Sequence, residues 1–369
     1  MDIDQIDKKF LLKHGNAKDI LKDFPEKIFQ TVVTSPPYWS LRDYFAEGQL
    51  GQEETFEEYV EDLVSILEEV KRVLRDDGTL WLNIGDSYNS NSGWCRSKGD
   101  WKRKGRENGS ADKKEVKNSV VKRKELFGIP WRVAFALQEA GWYLRSDIIY
   151  SKTNPMPDGA KDRPTHSHEY IFLLTKKPNY YYDYYAILED SKNIPDKLMS
   201  FGAKNQKGTF RCDQKRVFEH YGKKNKRSVW KNPVSSFKGD HFATFPIELI
   251  NPCILAGTSS KGCCAECGTP IERQIKKVKV ESEKGKGYDL RLVSDRWDKK
   301  CKCKTNETRP CLVLDPFSGM ATTGIASLMN FRDYVGIDIN SDYIDKSRKR
   351  INKQSDGITE VYDINDFFT

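Results

Sequence analysis

The sequence predicts an α/β protein built on a doubly wound, mixed sheet. Three observations predict it: strand and helix patterns alternate, two short turn motifs close predicted strands, and three polar stretches interrupt the alternation without ending it. Phe10 to His14 reads as a strand, Gly15-Asn16-Ala17 as a turn, and Ile20, Leu21 and Phe24 as the beginning of a short helix. Thr31-Val32-Val33-Thr34 is a β-branched run that stops at Pro36-Pro37, where the ladder loses its donors. A strand therefore delivers Ser35-Pro36-Pro37-Tyr38 at its carboxyl end. Thr55 and Glu58 form a capping-box pattern, and Phe56, Tyr59, Val60, Leu63, Leu67, Val70 and Leu74 follow helical spacing up to Asp76-Asp77-Gly78. Thr79 to Ile84 is the next strand and completes a strand-helix-strand unit of the parallel type. Pro130 opens a helix that Gly141 closes, and Tyr143 to Tyr150 is a strand. Glu169 to Thr175 is expected to pair antiparallel with that strand at one edge. After a helix start at Phe245 to Ile250 and a cysteine-rich interruption, Cys311 to Leu314 is a strand and Ala321 to Met329 a helix. Tyr334 to Ile337 is again a strand and Ser341 to Ile351 a helix.

The interruptions divide the chain into a first half of the main domain, 1–190, carrying a mobile loop at 89–125. A separate region follows at 191–231, then the second half of the main domain at 232–256 and 311–369, split by an insertion at 257–310. Charge is concentrated in two of these interruptions. Between Arg96 and Glu125 there are 12 Lys/Arg against 5 Asp/Glu, and between Lys192 and Lys231 12 against 3, in a chain of net charge +8. The remainder is acidic, so the basic stretches suit a polyanionic partner better than an evenly solvated surface does. Phe201, Phe210, Phe218, Tyr221 and Trp230 interleave the second stretch, as in a small folded unit. With no run of 18 apolar residues and an acidic Met1-Asp2-Ile3-Asp4, a soluble, cytoplasmic protein without membrane contact is expected.

Nine cysteines in such a compartment are not read as disulfides. Cys264-x-x-Cys267 and Cys301-x-Cys303 form two close pairs that suit tetrahedral zinc with four thiolates, with Cys263 as an alternative to Cys264. Four sulfurs leave no open coordination position, so the zinc is expected to be structural, in a zinc-ribbon-like insertion. His166 and His168 face one side of a strand, but two imidazoles alone make a weak metal site and are read as structural or as part of a substrate loop.

Asp315-Pro316-Phe317-Ser318-Gly319 joins a strand to a helix, placing a glycine turn at the carboxyl edge of the sheet, where α/β proteins bind nucleotides. Asp338, 23 residues on, ends the next strand and can accept hydrogen bonds from a ribose diol. Neither G-x-G-x-x-G nor G-x-x-x-x-G-K-[ST] is present, which removes support for dinucleotide and ATP readings.

On these residues the sequence resembles the class I DNA methyltransferases, whose first motif reads D-P-F-x-G-S-G-T-T and whose second ends a strand with an acidic residue. His241-Phe242-Ala243-Thr244-Phe245-Pro246 is similar to their H-x-A-x-F-P segment, and Ser35 to Tyr38 to the S-P-P-Y form of their catalytic motif. The catalytic motif precedes the cofactor motif by about 280 residues with a basic segment between, the permuted order of the β group, in which 191–231 is the target-recognition region. The resemblance covers Phe10 to Tyr88, Leu126 to Thr175 and Val229 to Ile351. It implies S-adenosylmethionine as cofactor, held by Asn16, Thr34, His241, Thr244, Phe245, Asp315, Phe317, Ser318, Gly319, Thr322 and Asp338. Phe317 would pack on the adenine, Gly319 admit the methionine part and Asp338 hold the ribose. It also implies double-stranded DNA as substrate and a cognate restriction endonuclease as partner, or an orphan or phage role. Two departures stand out: Met320-Ala321 replaces Ser-Gly, tolerable unless φ is positive there, and Asn16 replaces an aspartate.

An exocyclic amine is a poor nucleophile because its lone pair is conjugated into the ring. Acceptors such as Ser35 Oγ and the Pro36 carbonyl would bias it toward sp3 and aim it, with Pro37 stiffening the loop and Tyr38 offering a stacking face to an extruded base. The serine form of the motif favours cytosine N4, with adenine N6 as the alternative. An RNA amino-methyltransferase and an inactive zinc-containing DNA-binding protein are less well supported.

Overall fold

A computed structural model describes residues 8–41, 43–44, 46–89, 120–190, 223–234, 245–281, 288–354 and 358–368. Most of both basic stretches, and the predicted cofactor residues His241 and Thr244, lie outside the described residues. In chain order the first half comprises β1 (Lys8–His14), α1 (Ala17–Lys22), β2 (Phe29–Thr34), α2 (Phe56–Val73), β3 (Leu74–Ile84), α3 (Ile129–Glu139), β4 (Tyr143–Lys152) and β5 (His168–Thr175). Then come the short β6 (Glu189–Asp190) and β7 (Lys223–Lys224), β8 (Val229–Asn232) and α4 (Ile247–Gly257). The insertion holds β9 (Cys263–Cys264), β10 (Glu272–Glu281), β11 (Tyr288–Asp298) and β12 (Thr308–Arg309). The chain closes with β13 (Leu312–Asp315), α5 (Thr322–Met329), β14 (Asp333–Asp338), α6 (Ser341–Gln354) and β15 (Ile358–Glu360).

Nine strands form one sheet in the order β15-β1-β14-β13-β2-β3-β5-β4-β8. All neighbours pair parallel except β5, which runs antiparallel between β3 and β4. The expectation for Glu169 to Thr175 is thus corrected in place though not in direction. Strand β5 is internal because β3 pairs with its other side, and β4 is covered in turn by β8. That last strand returns the chain to the sheet three residues before the boundary at 232.

Successive residues of a strand face opposite layers. Leu11 belongs to the layer that also holds α1, α2 and α3, whereas Phe10 and Leu12 belong to the opposite one with Ile325 of α5 and Ile344 of α6. In the central β2 every residue is buried, Val32 facing the first layer and Val33 the α4 layer. The result is helix, sheet, helix, the three-layer arrangement of a class I methyltransferase fold. Helix α2 carries the predicted capping box, with Glu58 N–H to Thr55 Oγ1 at 3.2 Å and Thr55 N–H to Glu58 Oε2 at 3.0 Å. It ends at Val73, earlier than the spacing suggested, because Leu74 is already extended at ψ 140° and pairs with Phe29. Helix α1 begins at Ala17 and ends at Lys22, so Phe24 lies beyond it. The stretch between the cysteine pairs contains the antiparallel ribbon β10-β11. Among the described residues no helix is long and apolar enough to cross a membrane.

Candidate active site

Strands β13 and β2 are parallel neighbours whose crossovers leave in opposite directions, so a crevice opens beyond their carboxyl ends. Asp315 closes the base of that crevice. Its Oδ1 accepts from Thr34 Oγ1 at 2.6 Å and from Phe317 N–H at 3.1 Å, and its Oδ2 accepts from Thr323 Oγ1 at 2.7 Å. Burial pushes the Asp315 carboxyl up to about 6, against the lowering effect of these donors. Thr34 and Asp315 therefore join the Ser-Pro-Pro-Tyr strand directly to the Asp-Pro-Phe loop and fix the loop's shape.

Beyond Asp315 the backbone turns at Gly319, with φ 50°. Gly319 donates its N–H to Asp338 Oδ2 at 2.7 Å, and Asn340 N–H donates to Asp338 Oδ1 at 2.9 Å. Burial raises the Asp338 carboxyl above the usual range. Open space lies where a Gly319 side chain would project. Ser318 Oγ shares a hydrogen bond with the buried Tyr334 hydroxyl at 2.8 Å, and Thr322 Oγ1 accepts from Arg350 Nη1 at 3.1 Å. Asn16 borders the same cavity while its Oδ1 caps α1 by accepting Lys18 N–H at 2.9 Å. Ala321, where the family usually has glycine, adopts φ 53°. The departure thus falls on a left-handed residue and does carry a cost, about 1–2 kcal/mol for an L-side chain. Its fully buried methyl returns about 0.8 kcal/mol, and alanine also restricts the unfolded chain more than glycine does.

Opposite this turn lies the Ser35 to Tyr38 loop. Tyr59 of α2 donates its hydroxyl to the Pro37 carbonyl at 2.9 Å. The Tyr38 hydroxyl donates to Glu169 Oε2 at 2.8 Å, and Ser35 Oγ lies 3.5 Å from that hydroxyl. Asn83, at the end of β3, directs Nδ2 at Tyr38 Oη and Glu169 Oε2, both at 3.0 Å, and at Ser35 Oγ at 3.5 Å. Lys152 Nζ meets Glu169 Oε1 at 2.5 Å. Burial and the nearby Glu169 carboxylate hold the Tyr38 phenol protonated well above its ordinary range. Gly85 sits against this group: a Cβ there would lie 2.7 Å from Tyr38 Cε2 and 3.3 Å from Glu169 Cγ. Asn83, Lys152 and Glu169 were missed in the sequence, although the carboxyl-end rule for parallel strands could have singled out Asn83.

Both loops line one cavity of ≈ 610 Å³, a size suited to a nucleoside-bearing ligand. Ser35, Pro36, Pro37, Tyr38, Asn16, Phe245, Asp315, Phe317, Ser318, Gly319, Thr322 and Asp338 all border it, whereas Thr34 lies behind it.

The predicted metal quartet also comes together, with the four Sγ atoms of Cys264, Cys267, Cys301 and Cys303 within 4.8 Å of one another. Zn–S bonds of about 2.3 Å put tetrahedral sulfurs about 3.8 Å apart, so the donor set fits zinc. Cys263 is not part of it: its Sγ turns to the carbonyls of Arg309 and Pro310, both at 3.6 Å.

The sheet order, the lone antiparallel strand and the cleft beyond β13 and β2 define a class I methyltransferase. The family model described as DNA methylase matches residues 29–265 and 303–349. The chain is 37% identical over 359 residues to the Type II methyltransferase M.Cfr9I of Citrobacter freundii, covering 95% of this chain and 90% of that one. It is likewise 37% identical over 337 residues to the Type II methyltransferase M.SmaI of Serratia marcescens, covering 91% and 89%. The fold is also that of two solved structures. One is a Thermus thermophilus protein assigned as a DNA modification methylase, complexed with S-adenosyl-L-methionine, at 21% identity and TM-score 0.51, covering 96% of this chain and 99% of that one. The other is the cytosine-N4-specific PvuII DNA methyltransferase, at 16% identity and TM-score 0.53, covering 94% and 89%. The chain belongs to the N6/N4 DNA methylase family.

Proposed function

We propose that this enzyme moves a methyl group from S-adenosylmethionine to the N4 amine of a cytosine flipped out of duplex DNA, at one sequence, as the modifying half of a Type II restriction–modification pair. The observation that carries this reading is that the Ser35 to Tyr38 loop and the Asp315 to Gly319 loop border one cavity and are tied together through Thr34 and Asp315. S-adenosylmethionine supplies a sulfonium-activated methyl. Gly319, with open space beyond its Cα, admits the ligand's close approach, and Phe317 offers a ring face to its adenine. The Asp338 carboxylate has lone pairs beyond those given to Gly319 and Asn340 and can accept the ribose hydroxyls. Ser35 Oγ and the Pro36 carbonyl accept from the target amine, and a serine hydroxyl, unlike a carboxylate, can also donate to cytosine N3. The cytosine-N4 specificity of the PvuII enzyme is consistent with this choice. The basic stretches outside the described residues would contact phosphates, so binding should weaken as salt rises.

Structural zinc on Cys264, Cys267, Cys301 and Cys303 belongs to the same proposal. With four sulfurs on one ion no position is left for substrate, and the role is to hold the insertion together.

Incubating duplex DNA with methyl-labelled S-adenosylmethionine and digesting it to nucleosides tests the reading. Label in N4-methylcytosine is the expected result. Label in N6-methyladenine would reverse the base assignment, and no label in DNA would refute the activity.

A second expectation concerns Gly85. Gly85→Ala forces the Tyr38 ring away from its contact with Glu169, and a misplaced stacking face is expected to cost about 10–100-fold in methylation rate. Single-turnover kinetics at saturating cofactor measure it. A rate within twofold of the parent would show that the Tyr38 position is not critical.

A further inference from the structure

Amine methylation leaves one proton to be removed. Resting on the proposed reaction, we infer that this proton leaves the site along a hydrogen-bonded chain from Ser35 through Tyr38 to Glu169. The geometry has the required polarity. Ser35 Oγ lies 3.5 Å from Tyr38 Oη, to which it can turn its proton from cytosine N3, and Tyr38 Oη donates to Glu169 Oε2 at 2.8 Å, so the chain runs toward the carboxylate. Asn83 Nδ2 reaches all three members and holds them in line. Its Oδ1, buried at the cavity wall, has no partner among the described residues. The absence of a side chain at Gly85 lets Tyr38 and Glu169 meet.

In the transfer step the amine lone pair forms the N–C bond while the C–S bond breaks and its electron pair stays on sulfur. The nitrogen now carries a positive charge and one proton too many. Ser35 Oγ takes that proton as its own passes to Tyr38 Oη, and the Tyr38 proton passes to Glu169 Oε2. Ser35 and Tyr38 end unchanged, the base ends neutral, and Glu169 ends protonated. The cationic nitrogen is a strong acid, because losing the proton restores conjugation with the ring, so an ion-paired carboxylate suffices as acceptor. Lys152, 2.5 Å from Oε1, balances the carboxylate charge at rest, and the partly exposed Glu169 can return the proton to water. The other groups facing Glu169 are Tyr38 from the loop after β2, Asn83 from β3, Tyr150 paired with it on β4, and His168 beside it on β5. Glu169 touches no reacting atom and acts through Tyr38, so it is a positioning and proton-accepting group.

Two variants test the relay. Glu169→Gln keeps an acceptor oxygen but cannot take the proton, and Tyr38→Phe keeps the stacking ring but breaks the chain. Each is measured by single-turnover methylation of cognate duplex across the pH range in which the protein stays folded, with melting temperature and affinity for S-adenosylmethionine and DNA as controls. Both variants are expected to bind normally and to lose about 100-fold in rate, in the range of general-base effects. The rate of Glu169→Gln should follow pH differently from that of the parent. Either folded variant retaining the parent rate and the parent pH profile would overturn the relay. Should Glu169→Gln fail to fold, Tyr38→Phe decides alone. The nucleoside product of the parent enzyme is scored in the same reactions. A methylated amine from the parent with unaffected variants refutes the relay alone, whereas no methylated base from the parent refutes the reaction itself.

Discussion

Replacing Asp315 by alanine is expected to abolish methyl transfer and to lower the melting temperature by roughly 10 °C. Three donors, Thr34 Oγ1, Thr323 Oγ1 and Phe317 N–H, converge on its carboxylate in a fully buried position. Alanine leaves all three without an acceptor, at about 1–3 kcal/mol each, and about 1–2 °C of melting temperature follows each kcal/mol in a chain of this size. The loop that carries Phe317 and Gly319 loses its tether to β2 at the same time, so cofactor affinity should fall with stability. Asp315→Asn separates charge from shape. The folded carboxyl titrates at about 6 and the unfolded one near 3.9, so between these values the folded protein holds a proton that the unfolded chain has released. This group's contribution to parent stability therefore declines as pH rises from about 4 to about 6, by roughly 3 kcal/mol, and is constant above. Asparagine does not titrate, so Asp315→Asn should gain on the parent across that window and no further. Denaturant unfolding at pH 4.5 and pH 7.5 measures it. An unchanged difference between the two proteins would show that Asp315 does not titrate as a buried acid.

The alternating pattern of the main domain was legible because amphipathic spacing and proline or glycine punctuation are local. Thr55 and the spacing after it announced α2 and its start, though not its end at Val73, and the β-branched run before Ser35 announced β2. What depended on distant pairing was not legible. The strand Glu169 to Thr175 gives no local sign of whether it is covered on one side or two. The ribbon β10-β11 was concealed by its many lysines, arginines and acids, since a solvated two-stranded ribbon needs no apolar face. In the cavity, Ser35, Tyr38, Asp315 and Asp338 stood in recognisable motifs. Asn83 and Glu169 are joined to Tyr38 across 45 and 131 residues and looked like ordinary strand positions. The choice between Cys263 and Cys264 was undecidable by spacing. It is decided by strand alternation in β9, which turns Cys264 to the quartet and Cys263 to Arg309 and Pro310. Ala321 was read as harmless because its backbone conformation is not encoded in its identity.

Removing the metal from the cysteine quartet is expected to destabilise the enzyme severely while leaving its chemistry intact, because the quartet is anchored at the end of the sheet opposite the active site. Gln30, near the start of β2, donates Nε2 to the Gly268 carbonyl at 3.0 Å and accepts Leu312 N–H on Oε1 at 2.6 Å. Arg75 at the start of β3 donates Nη1 to the Cys267 carbonyl at 2.5 Å. Ser35 lies at the other end of β2, about 17 Å from Gln30 at the rise of an extended strand. Without zinc, thiolates that shared one ion take up protons and the Cys264–Gly268 knuckle is held only by its backbone bonds. Gln30, Arg75 and the first donor of β13 then lose ordered partners. A loss of at least about 3 kcal/mol, and so at least about 4 °C in melting temperature, is expected on chelation, with one zinc per chain in the untreated protein. Cys301→Ser should reproduce the effect and Cys263→Ser should retain the metal. At low temperature, molecules still folded should methylate DNA within about twofold of the untreated rate, since no step of the chemistry passes through the ion. Elemental analysis that finds no zinc, together with a melting temperature indifferent to chelator, would show that the four sulfurs converge without binding a metal.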